Sequence, residues 1–228
     1  MAGAGPAEPA FNEFTPLFAR NDAQLITTGV VGNNDTYGGE GVLSMLYGRM
    51  SLSAGGSAFE TDGFRHNNDD KTKLADVYGQ IAITPKISLQ TEYRYRDTDH
   101  GDLALEFDPL DPAMFSLVQR RDIDQDVLRV GLRVSPAPHS DIILSGFYTK
   151  RDENVAIVPG TLEDDLHEKG PQGEAQYLFR GGGWDAILGG GYYDIDRDEV
   201  ILRPSGTSRL DSPRQQVNGY AYTTFALP

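Results

Sequence analysis

Seven charged residues recur at alternate positions of otherwise apolar segments: Glu92, Arg94 and Arg96, then Arg129 and Arg133, then Glu174 and Arg180. Residues two apart share one face of an extended strand, so each set forms a charged stripe backed by an apolar one. Facing a water-filled pore, such side chains would set ion selectivity; in a narrow interior they would pair and fill the space. Arginines outnumber carboxylates in this set, so an open lumen would favour anionic solutes, an acidic polysaccharide among them. Charges inside barrels are normal, which makes pairing the blander expectation.

Other groups offer less chemistry. The stretch from Asp97 to Gln125 holds Asp97, Asp99, Asp102, Glu106, Asp108, Asp111, Asp122 and Asp124. Its spacing lacks the calcium-loop pattern, so a solvated acidic loop is expected and no metal site. Within it, Asp111-Pro112 ahead of Ala113 to Val118 reads as the cap and first turn of a short helix that would narrow the mouth. Of His66, His100, His139 and His167, only His100 has acidic neighbours, Asp99 and Asp102, and no nucleophile or orienting group accompanies it. An enzyme is therefore not expected, and no cofactor is implied. The runs Gly181 to Gly183 and Gly189 to Gly191 lack the Lys-Ser/Thr ending of a phosphate loop and suit turns and crowded strands.

The elements that must position the charged stripes are β-strands. From Leu74 to Ile83 the residues Val77, Gly79, Ile81 and Ile83 alternate with Asp76, Tyr78, Gln80 and Ala82; after Thr84-Pro85-Lys86, Ile87, Leu89, Thr91, Tyr93 and Tyr95 alternate with Ser88, Gln90, Glu92, Arg94 and Arg96. The pattern returns over 128–134, 142–150, 174–180 and 184–192, with further strands over 25–31, 41–47, 51–60 and 217–225. Tight turns at 84–86, 136–141 and 181–183 alternate with long connections over 61–73, 97–125, 150–172 and 194–215. Short turns on one side and long loops on the other are expected of an antiparallel up-and-down transmembrane β-barrel, here of about ten strands. Trp184 and Phe225 fall beside short turns and Tyr93, Tyr95 and Tyr192 toward long loops, which would place rings at both membrane interfaces. A soluble sandwich would place turns every 8–12 residues, and no fixed repeat period supports a solenoid.

Composition agrees with this class and excludes others. A net charge of −14 disfavours nucleic acid, whose phosphates call for basic patches. The mean hydropathy of −0.42 is no obstacle, because only alternate strand residues of a barrel face lipid. With no cysteine, disulfides and thiol catalysis are ruled out. Met1-Ala-Gly-Ala-Gly-Pro-Ala has no basic n-region or apolar core. The expectation is a periplasmic lead-in over 1–22 and a barrel over 23–228, in the cell outer membrane, in contact with its lipid. Ala226-Leu227-Pro228 reads as the opening of another periplasmic turn, so the barrel is expected to be incomplete, a fragment of a larger one.

Four motif groups carry a resemblance: Phe11-Asn-Glu-Phe-Thr-Pro-Leu-Phe18; Gly32-Asn-Asn-Asp-Thr-Tyr-Gly38; Glu60-Thr-Asp-Gly-Phe-Arg65 with Asn67-Asn68-Asp69; and Tyr93-Arg-Tyr-Arg-Asp-Thr98 with Gly101-Asp-Leu103. They resemble the barrel region of bacterial outer-membrane proteins that carry tetratricopeptide repeats ahead of the barrel, a family without a settled biochemical role. The resemblance implies a periplasmic helical-repeat partner domain upstream and more strands downstream. Two functions remain open: a pore or export conduit for solute or polymer, and a membrane-anchored binding or structural module that works through its long acidic loops. Oligomeric state is not legible.

Overall fold

The computed structural model describes residues 20–104 and 117–225. Strand follows strand: β1 (Asp22–Val31), β2 (Tyr37–Tyr47), β3 (Met50–Thr61), β4 (Asp70–Thr84), β5 (Ile87–His100), β6 (Arg120–Ala137), β7 (Ser140–Val158), β8 (Leu162–Arg180), β9 (Trp184–Arg203), β10 (Gly206–Asp211) and β11 (Arg214–Phe225). Each pairs antiparallel with its sequence neighbour up to β10, and β11 pairs with β9. The expected up-and-down antiparallel architecture is therefore present.

The eleventh strand is a matter of one missing donor. Asp211 lies opposite Asp198 and Arg214 opposite Ile195, so the register continues unbroken from β10 into β11. Between them sits Pro213, which has no N–H to give the ladder. β10 and β11 are two halves of one crossing, and the sheet makes ten crossings, as the alternation predicts.

Polarity is inverted relative to a water-soluble protein. Ser51, Gln80, Gln90, Glu92, Thr98, Asp141, Ser145 and Glu153 are all buried, and all lie on one face. On the other face Val77, Leu89, Leu128, Val130, Leu144 and Leu188 are each more than a third exposed. Apolar surface left in water would cost about 25 cal/mol per Å², so this face belongs against lipid and the polar face lines the interior. The aromatic ends match: Phe179 packs on Trp184 at 4.8 Å and Trp184 stacks on Phe225 at 6.4 Å at the short-turn end, with Tyr93, Tyr148 and Tyr192 at the other.

The long connections are where expectation and structure part. Segments 150–172 and 194–215 are not loops: β7 and β8 are each 19 residues long and β9 is 20. Crossing the hydrocarbon layer takes 9–11 residues, so roughly half of each strand projects beyond the membrane. Apolar alternation ceases there because both faces meet water, and a reading keyed to apolar alternation stops early. In the acidic stretch, Asp97 and Asp99 lie on β5 and Asp122 and Asp124 on β6, so the two ends of the expected solvated loop are paired strand, and residues 105–116 lie outside the described residues. The helix expected after Asp111 and the motif at 11–18 lie outside the described residues.

The connection between β3 and β4 is ordered by the residues of the third motif group. Arg65 donates to the carbonyls of Asp102 at 2.8 Å and Ala104 at 3.1 Å, Asn68 donates to the same Asp102 carbonyl at 2.9 Å, and Arg120 pairs with Asp69 at 2.6 Å. Gly63, at φ +74°, is required: a Cβ there would stand 2.1 Å from the Asn68 carbonyl oxygen. This clasp ties two outer connections into one rim.

Candidate functional site

The inner wall is the candidate site, and its chemistry is arginine–carboxylate pairing. Glu92, buried on β5, lies 3.1 Å from Arg94 and 3.5 Å from Arg129, its directly opposed partner on β6. Near the short turns, Asp141 takes Arg133 at 3.1 Å and Arg180 at 2.6 Å, plus the Ser135 hydroxyl. Farther out, Glu153 joins Arg121 and Arg151. Two guanidinium groups thus share one carboxylate at three heights on the wall. At the same outer level, on β8 and β9, the ratio reverses, with Arg197 held between Glu168 at 3.3 Å and Glu199 at 3.2 Å.

All seven residues singled out from sequence lie on this wall by strand register. Arg96 donates to Thr98 at 3.1 Å, and Glu174 accepts from the Tyr220 hydroxyl. The structure adds two carboxylates that the count of arginines left out: Asp141, read as part of a turn, and Asp76, opposite Arg94. With these included, the excess of arginine over carboxylate that argued for anion preference shrinks, and the wall pairs its own charges. Arg121, Arg151, Glu153, Glu168, Arg197 and Glu199 escaped notice because they lie on the projecting strand halves. Continuing the period of two outward from Arg129 on β6, from Glu174 on β8, and past Lys150 and Tyr192 on β7 and β9 reaches them.

Between the charged stations the wall is neutral and polar. The Tyr78 hydroxyl reaches Gln80 and Gln90, each at 3.3 Å, and Tyr193 donates to Gln216 at 2.7 Å. His100, the histidine expected among acids, instead meets the Gly101 carbonyl at 2.6 Å. His167 is the one with a carboxylate partner among the described residues, Asp152 at 2.7 Å.

Asp152 stands outside the membrane on β7, and hydrogen bonds from Lys150, then from His167, hold its carboxyl below the ordinary aspartate range. Because ionised Asp152 is favoured more in the folded than in the unfolded chain, its contribution is complete above the ordinary aspartate pKa. It drains away as pH falls through the lowered folded value. Asp152→Asn should therefore lower stability at neutral pH and converge with the parent in acid, flattening the acid limb, as read from urea midpoints across that range.

No known protein family matches the sequence, and no curated protein does. Solved structures do. The chain is similar to FpvA of P. aeruginosa, solved with heterologous pyoverdine and iron, at 11% identity and TM-score 0.68 over 91% of this chain and 35% of that one. It is also similar to the siderophore receptor PiuA of Acinetobacter baumannii, at 10% identity and TM-score 0.60 over 89% of this chain and 38% of that one. The chain spans little more than a third of either receptor. A further likeness is to outer-membrane OmpT of Vibrio cholerae, at 15% identity and TM-score 0.48 over 84% of this chain and 57% of that one. The expectation that the chain is not an enzyme is corrected here. A likeness of fold at such identity neither assigns nor excludes an activity. What the likeness to the receptors shows is architecture: the chain has the fold of outer-membrane β-barrels.

Proposed function

We propose that the chain is a sector of the wall of a wide outer-membrane conduit that passes solute or polymer. The observation that supports this most is the open sheet. Among the described residues β1 pairs only with β2 and β11 only with β9, and every residue of β1 is exposed. Unpaired backbone groups in lipid cost several kcal/mol each, so both edges need further strands. A match to FpvA over 91% of this chain supports a wide curvature. Closure by additional strands of the same polypeptide, behind a periplasmic repeat domain, is the arrangement that the motif resemblance implies.

Wall chemistry narrows the cargo. Paired charges and the amide and hydroxyl groups of Gln80, Gln90, Tyr78, Tyr193 and Gln216 suit hydroxyl-rich solutes better than ions of one sign. Planar-bilayer recording of the detergent-folded full polypeptide, including the strands that close the sheet, tests the proposal. Stable conductance steps reversibly blocked by a hydroxyl-rich oligomer are the expected result. A folded, heat-modifiable protein without conductance would contradict it and favour the anchored binding module.

A further inference from the structure

One strip of the inner wall departs from the arginine–carboxylate chemistry around it. On the polar face of β9 and β11 the register sets Tyr193 beside Gln216, Gly191 beside Asn218 and Gly189 beside Tyr220. Gln176 on β8 lies on the far side of Gly189. Neither lysine nor arginine occurs over 172–176, 189–193 or 216–222. The one carboxylate in these segments, Glu174, is engaged by the Tyr220 hydroxyl. The strip is polar, aromatic and without a cation.

Its rings are held in place. Tyr220 stands on β11, yet its hydroxyl reaches Glu174 on β8, so its ring lies across the intervening strand β9. Gly189 makes the room: a Cβ there would stand 2.3 Å from that ring. A glycine inside a strand weakens it, and here the loss is offset by a side chain that lies down on the wall. Tyr222, two residues nearer the short turns and largely exposed, has its ring centroid 5.4 Å from that of Tyr220. Tyr193, whose hydroxyl donates to Gln216 at 2.7 Å, stands four residues farther out, roughly 13 Å along the strand. Between the two levels the Asn218 carbonyl oxygen accepts from the Gly191 N–H at 2.9 Å, which fixes the amide and turns its NH2 group into an oriented donor.

We propose that this strip is a binding track for uncharged pyranose units of a glycan. A pyranose has an apolar C–H face and a rim of hydroxyls. Tyr193, Tyr220 and Tyr222 offer surfaces for the first, and Gln176, Gln216 and Asn218 offer donors and acceptors for the second. A uronate or phosphate group would lose hydration here and find no cation in return, which is unfavourable. The track therefore selects neutral over acidic glycans. The inference deepens the conduit proposal and rests on its reading of the polar face as a lumen wall.

Isothermal titration of the detergent-folded full polypeptide with maltohexaose, cellohexaose and hexagalacturonate tests it. At least one neutral hexasaccharide should bind, and hexagalacturonate should bind at least tenfold more weakly. Tyr220→Ala and, independently, Tyr193→Ala should each weaken the neutral ligand by about tenfold, the worth of one well-stacked ring. Gly189→Ala removes no ligand contact but displaces the Tyr220 ring, and it should weaken binding as well. Tyr192→Ala, on the lipid face of the same strand, should bind as the parent does, and heat-modifiable mobility verifies folding of each variant. Hexagalacturonate binding as tight as the neutral ligands, unchanged binding by both tyrosine variants, or a folded parent that binds no neutral hexasaccharide would each overturn the proposal. Conductance of the same sample separates the two readings: conductance without neutral-glycan binding overturns the track and leaves the conduit, and binding without conductance overturns the conduit alone.

Discussion

Leu144→Arg should destabilise the lipid-inserted protein by about 2–4 kcal/mol, the cost of an arginine on the lipid face of a barrel near the bilayer midplane. Leu144 sits mid-band on β7, 43% exposed, with Leu132 and Ala175 directly opposite on its two neighbours. Nothing beside it can hydrate or pair a guanidinium. Gln172→Arg, on the polar face of β8, should cost less than about 1 kcal/mol, because that face already carries arginines in a wet interior. Urea unfolding from lipid vesicles reads both. Equal penalties would mean that the two faces are wrongly assigned.

Glu92→Ala is the second large expected effect. It leaves Arg94 and Arg129 facing each other across β5 and β6 without the carboxylate that both contact. Removing one partner from a buried ion pair costs about 3–5 kcal/mol. Arg94 and Arg129 side chains retain 16% and 22% exposure, and that water access brings the expectation to the lower end, about 3 kcal/mol. Glu92→Gln should cost less, because the amide keeps one acceptor. Adding Arg94→Ala to Glu92→Ala should recover part of the loss, since it removes one of the two guanidinium groups that Glu92 contacts; a strictly additive double mutant would show that the pair is not coupled.

Within the membrane the fold was legible, because there the two faces of each strand meet different solvents and the period of two is enforced residue by residue. Leu89 against Gln90 and Leu128 against Arg129 are visible without coordinates. Beyond the membrane both faces meet water and the signal vanishes, so the alternation marks β7 only to Lys150, whereas the strand continues to Val158. Pairing was less legible than facing. Alternation placed Glu92 and Arg129 on the same side, but only register puts them opposite each other. Asp141 has the sequence setting of a turn residue, close after Pro136 and Pro138, and only register makes Arg133 and Arg180 converge on it. Closure is not legible in strand count: ten crossings would suffice for a small barrel, yet β1 and β11 remain apart.

The central claim is that one face of this sheet meets lipid and the other water. The chain contains no cysteine, so single cysteines placed successively from Ser88 to Tyr93 on β5 can be challenged with a membrane-impermeant thiol reagent in intact outer membranes. Cysteines at Ser88, Gln90 and Glu92 should react, and those at Leu89, Thr91 and Tyr93 should stay protected. Uniform reactivity along the strand, or protection with the opposite phase, would contradict the account.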